Sequence, residues 1–388
     1  MKVAYVLPSL EKPSGWRTHS IAMLNAIREY VELVLFVSSQ DYEIARSLFP
    51  GDPLFPLPVT QQVIPGSLQG LRMLVFCYRT IRQGEYPRVD LVHSLEAYPT
   101  GLVGSWLAKR LDCPHAITTH GTYGVVWYDR PIERVIYRRV LRNTALVCPV
   151  SHGTARLLDQ FFGEDIGHAL VSPVLNGNEF YKVVPQSEAL EKELPAIPTI
   201  LTVGDVKPRK GQHLSLAAFE LVKARFPLSR YWIAGRFQAN SYYRGLQQLI
   251  AERHLQDVSF LGCISDDELS RCFRQASVFV LTPQPGEGSQ RLHFEGFGLV
   301  YLEAGAYGLP VVATHTGGVP DAVQHGVTGL LAAPGDVQGI ADAIIRILAD
   351  PQLARMLGRA NRFWAESLTW ERSALEQVQV YRQLLGSK

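Results

Sequence analysis

The sequence predicts an α/β protein built from two Rossmann-like, doubly wound domains that face each other across a cleft. The chain has 388 residues, which is more than one compact domain usually holds. Short apolar runs alternate with longer helical patterns, as in βαβ units around a parallel sheet. The alternation lapses once, between residues 183 and 198, and then starts again. Two successive sheets are therefore expected.

The predicted strands of the first half are short, and several are almost continuously apolar, as expected where helices cover both faces of a parallel sheet. Helical patterns separate them, for example at Thr18–Glu29 and Gly101–Leu111. The strand-like runs are Val3–Leu7, Val31–Val37, Val89–His93, His115–Thr119 and Ala145–Val150. We assign residues 1–185 to a first domain.

A linker is predicted where Pro185, Pro195 and Pro198 flank the charged stretch Glu188–Glu193. Beyond it, further strands are predicted at Thr199–Gly204, Tyr231–Ala234, Val258–Leu261, Val278–Leu281 and Val311–Ala313. Amphipathic helices are predicted near Val337–Leu348, Leu353–Trp364 and Glu371–Leu385. We expect residues 186–365 to form the second domain and residues 366–388 to form a C-terminal helix that crosses back to the first.

Composition narrows the class of protein. The formal net charge of +2 is too small to indicate nucleic-acid binding. Five cysteines without metal-ligand spacing favour a reducing, cytoplasmic setting. The N-terminal run Met1–Leu7 is interrupted too early for a signal peptide, and no apolar run reaches the ~20 residues needed to span a bilayer. We expect a cytoplasmic protein, soluble or peripheral at the membrane surface.

The segment Phe294–Val323 contains the most informative pattern. Gly296 and Gly298 flank Phe297 just before a helical run, and the exposed N–H groups of a helix start favour an anion such as a diphosphate. Glu303, within that helix, could accept hydrogen bonds from ribose hydroxyls. Glu295, before it, could meet a sugar. A capped surface helix explains the spacing equally well.

The amino-acid sequence of this segment resembles the donor-site signature of glycosyltransferase family 4. Glu295-x7-Glu303 lies inside EGFGLVYLEA and is followed by GLPVVAT and GGVPDAV. The resemblance extends to VGDVKPRKG at Val203–Gly211, to Asn176-Gly177 and to HGVTGLL at His325–Leu331. It implies the GT-B fold and a retaining enzyme that moves a hexosyl group from a UDP- or GDP-linked sugar to a hydroxyl of a glycan, a lipid-linked acceptor or a small molecule.

The resemblance also implies roles for individual residues. Glu303 would bind the nucleotide ribose and Glu295 the donor sugar, while Arg209 and Lys210 would neutralise the diphosphate as it leaves. The backbones of Phe297, Gly298, Leu299 and Val300 would hold sugar and diphosphate. Asp205 departs from the family pattern, because an arginine is common after Gly204. A solvated basic turn is the alternative for Lys207–Lys210.

Four further positions complete the expected site. His120 follows a strand and would contact the donor sugar, although a lone histidine at a strand end is usually structural. Gly15 could bring a backbone N–H to the phosphate, but the family usually has paired glycines in that loop. Gly204 lies at the phosphate loop, and Ile264 lies in the Gly262–Ile264 loop that we expect near the base.

Neither a metal nor a nicotinamide cofactor is expected. Asp266, Asp267 and Glu268 follow Ser265, and S-x-x-E indicates a capping box rather than a metal site. The first loop reads LPSLEKPSGW, which excludes a dinucleotide G-x-G-x-x-G fingerprint. A non-catalytic sugar-nucleotide-binding protein, an epimerase and a phosphorylase of the same fold remain as alternatives.

A basic amphipathic pattern is predicted along Arg130–Arg142. The arginines at 130, 134, 138, 139 and 142 recur at helical spacing beside apolar residues. Such a face could lie on an anionic membrane. Alternatively, its apolar side packs on its own domain and the arginines are solvated.

Overall fold

A computed structural model describes residues 1–11, 15–58, 68–286 and 292–386. The chain forms two compact units. The first unit contains Met1–Gly177 together with Trp370–Lys388, and the second contains Asn178–Thr369. The first unit therefore ends eight residues before the expected position 185, and the linker around Pro185 belongs to the second unit.

The first unit is a seven-stranded parallel sheet, in the order β3-β2-β1-β4-β5-β6-β7, with helices around it. Its strands are β1 Lys2–Val6, β2 Glu32–Ser38, β3 Leu54–Leu57, β4 Leu91–Ser94, β5 His115–Thr119, β6 Leu146–Pro149 and β7 Leu170–Val171. Its helices are α1 Gly15–Ile27, α2 Tyr42–Leu48, α3 Leu68–Gln83, α4 Thr100–Leu111, α5 Thr122–Val125, α6 Pro131–Arg142 and α7 His152–Ile166, with the C-terminal α16 Trp370–Gly386. The central strands are buried because helices cover both faces.

The second unit repeats the architecture with a six-stranded parallel sheet, in the order β10-β9-β8-β11-β12-β13. Its strands are β8 Thr199–Val203, β9 Arg230–Ala234, β10 Val258–Gly262, β11 Val278–Leu281, β12 Val311–Thr314 and β13 Gly329–Ala332. Its helices are α8 Gln186–Leu190, α9 Gln212–Arg225, α10 Ser241–Glu252, α11 Asp266–Gln275, α12 Leu299–Ala306, α13 Val319–Ala322, α14 Val337–Ala349 and α15 Pro351–Ser367. The predicted class, with two Rossmann-like domains, is confirmed.

Each sheet has a switch point where the strand order reverses direction. In the first unit this point lies between β1 and β4, and in the second it lies between β8 and β11. Loops that leave neighbouring strands at a switch point run to opposite faces and open a crevice between them. The loops after β4, β8 and β11 are therefore the places where ligand-binding residues are expected.

The sequence analysis did not predict three of the strands. Leu54–Leu57 contains Pro56 and lies at a sheet edge, where a missing N–H is tolerated. Leu170–Val171 has only two residues, and Gly329–Ala332 begins with a glycine. These edge strands lack the long apolar runs of central strands. By contrast, the capping box at Ser265 is confirmed, because its hydroxyl and the Glu268 carboxylate each accept the other's backbone N–H.

The C-terminal helix α16 packs on α1 within the first unit and closes a buried polar network. The hydroxyl of Tyr381 is hydrogen-bonded to the hydroxyl of Tyr5, 3.1 Å away, and to Nδ1 of His93. The other ring nitrogen of His93 lies 2.9 Å from Oγ1 of Thr118. Burial lowers the pKa of His93 to about 3, as it does for His115. Both rings are therefore neutral in the folded protein at neutral pH.

Acid should destabilise this unit through its buried histidines. The folded pKa of His115 lies below the ordinary value of 6.5, so the stability that its neutral ring contributes is present above pH 6.5 and is lost as the pH falls toward 3. At pH 5 the loss is about 2 kcal/mol for this one residue. Urea unfolding at pH 7 and pH 5 should show a smaller difference for His115→Gln than for wild type. The exposed His168→Gln is the control, and an equal pH difference in both variants would contradict the account.

Candidate functional site

In the second unit, two basic side chains converge on one buried carboxylate at the switch point. Oε2 of Glu295 accepts hydrogen bonds from Nζ of Lys210 at 2.7 Å and from an Nη of Arg209 at 2.8 Å. The same Arg209 nitrogen donates to the carbonyl of Phe294 at 3.1 Å. Glu295 is 85 residues from Lys210 along the chain, so the fold alone brings them together.

The net charge of the cluster of Glu295, Arg209 and Lys210 favours the binding of an anion. Burial would raise the pKa of Glu295, but the charges and hydrogen bonds of Lys210 and Arg209 outweigh it and lower the pKa to about 2. Glu295 is thus ionised at neutral pH, and among the described residues of the cluster two cations face one carboxylate. A fixed cationic group at the end of two adjacent strands is suited to binding a phosphate.

The loops that carry these residues are tied to each other. Arg209 and Lys210 lie in a short 3-10 turn, Pro208–Lys210, after β8. The carbonyl of Arg209 accepts the N–H of Gln284 at 2.9 Å, and the carbonyl of Gly211 accepts the Thr282 hydroxyl at 2.9 Å. Gly211 has φ +72°, and an added Cβ would lie 1.8 Å from the carbonyl oxygen of Thr282. Only glycine permits this close approach.

The helix α12 starts beside the cluster without a side-chain cap. Its N-cap is Gly298 at φ +91°, and its first residues are Leu299 and Val300. The uncapped first turn presents backbone N–H groups and the positive end of the helix dipole. Phe297, just before it, is buried and anchors the turn. A helix start is therefore present at the predicted place, and its binding of an anion stays a prediction.

Glu303 lies in the second turn of α12, and the pKa of its carboxyl is shifted. Its side chain is partly buried, and within the described ranges no hydrogen bond reaches its carboxylate. Burial raises the pKa of Glu303 to about 7, the charge of Asp266 adds to this, and Lys210 opposes it. Asp266 follows the loop that contains the half-buried Ile264, so that loop and Glu303 are close enough to interact electrostatically.

Gly204 also lies at this switch point, but Asp205 beside it does not join the cluster. Gly204 has φ +149°, and an added Cβ would make ordinary contact with the Lys210 side chain at 3.7 Å. Asp205 pairs with Lys207 and Arg236, both at 3.3 Å. The position where the family carries an arginine is thus occupied by a carboxylate that faces other cations.

In the first unit, His120 follows β5 and is buried. Its Nε2 donates to the carbonyl of Leu95 at 2.9 Å, because a carbonyl can only accept. Burial and the neighbouring His19 lower the pKa of His120 well below 6.5, so the ring is neutral and its Nδ1 is an acceptor. The His19 ring lies 4.6 Å away edge-on, and its Nδ1 is hydrogen-bonded to Asn176 at 2.9 Å.

Glu96 is a functional candidate that the sequence reasoning missed. It follows β4 at the switch point, next to the Leu95 carbonyl that binds His120. The residue is 3% exposed, and Oε2 has no hydrogen-bond partner in the part of the chain that the structure describes. Burial raises its pKa to about 8. A carboxylate directly after a buried strand was the available signal, but nothing in the spacing distinguishes it from a surface residue.

Gly317 is a second missed position, and its role is to hold Glu295. It has φ +53°, and an added Cβ would lie 2.3 Å from the Glu295 carbonyl oxygen. The N–H of Gly318 donates to that carbonyl at 2.9 Å. The glycine pair therefore fixes the Glu295 backbone. Gly15, in contrast, starts α1 in open space, and the preceding Ser14 of the predicted loop lies outside the described residues.

The arginines of the predicted basic face along α6 contact different partners. Arg138 and Arg142 donate to the two carboxylate oxygens of Asp165 on α7, at 2.8 and 2.7 Å. Arg130 lies over the ring of Trp127, and Arg134 lies over that of Tyr128. Four of the five arginines thus stabilise the fold locally. Asp165 pairs with two of the arginines, whose side chains stay 40% and 60% exposed, so this face of α6 remains basic and accessible to solvent.

Neither a metal cluster nor a membrane-spanning helix is found in the parts of the chain that the structure describes. No group of three His, Cys, Asp or Glu side chains there could hold a metal ion. The helices of the same residues are too short or too polar to cross a bilayer.

Comparison with known proteins supplies two family matches. Residues 188–364 match the model described as "Glycosyl transferases group 1", and residues 18–174 match "Glycosyl transferase 4-like domain". The chain is 32% identical to a GDP-mannose-dependent alpha-(1-6)-phosphatidylinositol monomannoside mannosyltransferase of Mycolicibacterium smegmatis, over 69% of this chain and 70% of that protein.

Two further similarities differ in extent. A relative of the same name from Mycobacterium tuberculosis is 32% identical, and the match spans 64% of this chain and 63% of that protein's length. Among solved structures, sucrose-phosphate synthase from Thermosynechococcus elongatus superposes with a TM-score of 0.73 at 24% identity and covers all of both chains. The latter similarity concerns the fold.

Proposed function

This chain belongs to glycosyltransferase family 4, and from that premise we propose that it transfers a hexosyl group from a nucleoside diphosphate sugar to an acceptor hydroxyl with retention of configuration. The observation that carries the proposal is the convergence of Lys210 and Arg209 on Glu295 beside the uncapped start of α12. The first unit would provide the acceptor side and the second the donor side.

The donor diphosphate would bind to the cationic cluster and to the N–H groups at the start of α12. When the nucleoside diphosphate leaves, negative charge grows on its phosphate oxygens, and Lys210 and Arg209 are already in place to stabilise it. Glu295 holds both cations and would also contact the donor sugar. The backbones of Gly204, Phe297, Gly298, Leu299 and Val300 would line the same site.

The nucleoside would lie between Glu303 and the loop of Ile264. Ribose hydroxyls can donate to an ionised carboxylate, and a buried Glu303 without a partner offers both oxygens. The base would meet backbone groups near Ile264. We propose GDP-mannose as the donor, because the two mannosyltransferase relatives are named as dependent on it; a UDP-linked sugar is the second candidate.

The proposal of retention rests on the resemblance to the family, and the protonation states are compatible with it. With a pKa of about 2, Glu295 is a weak base, and its cationic partners make it a poor nucleophile. The leaving diphosphate is then the group that can accept the acceptor proton, so that departure and attack occur on one face of the sugar. Neutral His120, with Nδ1 as an acceptor, would orient a sugar hydroxyl rather than act as an acid.

The acceptor is proposed to be a glycan or a lipid-linked hydroxyl compound. The relatives are named for transfer to a phosphatidylinositol monomannoside, which favours the lipid-linked class. Glu96, protonated and without a partner, could donate a hydrogen bond to an acceptor hydroxyl. The free cysteines support the proposal of a cytoplasmic setting. Gly15 stays a proposed contact of the phosphate. The epimerase, phosphorylase and non-catalytic alternatives are not favoured by relatives named as transferases.

Thermal shift with nucleotides tests the donor site. A ligand at 100 times its Kd should add about 2.7 kcal/mol to the free energy of unfolding. We expect GDP and GDP-mannose to raise the melting temperature, and Glu303→Gln to reduce the rise. Because the ligand needs ionised Glu303, whose pKa is about 7, the rise should weaken as the pH falls below 7.

The control for this measurement is inorganic pyrophosphate, which lacks the ribose and should respond little to Glu303→Gln. A melting temperature unchanged by GDP-, UDP- and ADP-linked sugars alike would refute the donor site. If the shift were present but product analysis with the bound sugar nucleotide detected no transfer to any lipid extract, the transferase proposal would fail.

A further inference from the structure

We propose that α3, α4 and α6 of the first unit form a docking surface for a bilayer that contains anionic phospholipids. The starting observation is a set of large apolar side chains that project into solvent from two of these helices. Phe76 is 61% exposed and Val135 is 68% exposed. The other members of the set, which we call the apolar surface, are Leu71, Val75, Tyr78 and Ile132.

These apolar side chains are additional to those that the same helices bury in the core of the unit. The helix α3 already buries Leu74, Cys77 and Ile81 against the domain, and α6 buries Val140 and Leu141. Both helices are therefore apolar on the inner face and on part of the outer face. Leu71, Val75, Tyr78 and Val135 line one groove between the helices, and an exposed apolar region of this kind indicates an interaction site.

A groove of about 800 Å³ runs between the helices and continues the apolar surface inward. The ring of Trp106 on α4 meets that of Tyr78 edge-on at 5.3 Å, and Leu102 and Ile136 line the walls. Aromatic rings at the border of such a groove suit the boundary between headgroups and acyl chains.

The charges around the groove identify the partner. The helices α3 and α4 carry five basic residues and no acidic one, although the net charge of the whole chain is only +2. Arg79, Arg82 and Arg139 line the groove, and no carboxylate in the described part of the chain pairs with them. This contrasts with Arg138 and Arg142, which Asp165 holds.

Apolar side chains ringed by unpaired arginines are complementary to an anionic bilayer. Long arginine side chains can place their guanidinium groups at the headgroup level while the apolar surface enters the acyl region. A second copy of this surface would instead bring like charges together. The residues predicted from sequence on α6 contribute only in part, since α3 supplies most of the surface.

Vesicle co-sedimentation with the full chain tests the proposal without any donor sugar, so that its outcome is independent of transferase activity. Binding is expected to phosphatidylcholine vesicles that contain phosphatidylglycerol, and it should fall when salt is added. The variant Phe76→Ser/Val135→Ser should bind about a hundredfold more weakly, since two buried apolar side chains are lost. Arg79→Gln/Arg82→Gln should bind about twentyfold more weakly and respond less to salt.

The matched control is Phe363→Ser/Val327→Ser, which removes equally exposed apolar residues from the second unit and should bind as wild type does. Equal losses in the control and the test variant would overturn the proposal, as would an absence of binding to phosphatidylglycerol vesicles at low salt. A wild-type dimer in solution that Phe76→Ser/Val135→Ser converts to a monomer would show that a second copy, rather than a bilayer, covers this face.

Discussion

Replacing Lys210 with methionine should lower kcat by about 10²- to 10³-fold, the effect typical of losing one fixed group that stabilises developing negative charge. Methionine keeps the length of the side chain and removes the cation that lies 2.7 Å from Glu295. Arg209 still pairs with Glu295, so the carboxylate is not left without a partner. Steady-state transfer from the sugar nucleotide that stabilises the protein provides the measurement.

Lys207→Met supplies the control, because Lys207 lies three residues away in the same loop and pairs with Asp205 instead. Its activity should stay near that of wild type. If Lys210→Met and Lys207→Met lowered kcat equally, the loop would be an ordinary basic turn. A rise in KM with kcat unchanged would assign Lys210 to binding alone.

Glu96→Gln should make the protein more stable and less active. The pKa of Glu96 is about 8 in the folded protein and 4.5 ordinarily, so its contribution to stability is full below pH 4.5 and is lost as the pH rises through 8. At pH 7 this cost is about 3 kcal/mol, and glutamine, which cannot ionise, avoids it. Urea unfolding should show the variant gaining stability over wild type from pH 5 to pH 8.

The activity of Glu96→Gln should fall about tenfold, because an amide N–H is a weaker hydrogen-bond donor to the acceptor hydroxyl than a carboxyl O–H. Glu29→Gln, an exposed change in the same unit, is the control for both measurements. If Glu96 only filled space, Glu96→Gln would gain stability and keep full activity. An unchanged pH dependence of unfolding would show that Glu96 is not the source of the cost. Loss of function with gain of stability is typical of active sites.

The sequence by itself determined most of the fold. A continuous apolar run, Val278–Leu281, became a central strand over those same residues. Its pattern is readable because a strand covered on both faces must be apolar throughout. Edge strands such as Leu170–Val171 lack that requirement and left no signal. The segment from Glu295 to Glu303 was also identified, since its glycines and glutamates lie within one short stretch.

The tertiary structure decided which of these residues act together. Strand order brings Lys210 to Glu295 across 85 residues, and that contact sets the low pKa of the glutamate. It also left Oε2 of Glu96 buried with no hydrogen-bond partner among the described residues, and it paired Arg138 with Asp165. Spacing along a chain specifies local geometry, whereas burial, pairing and protonation depend on neighbours that only the folded chain provides.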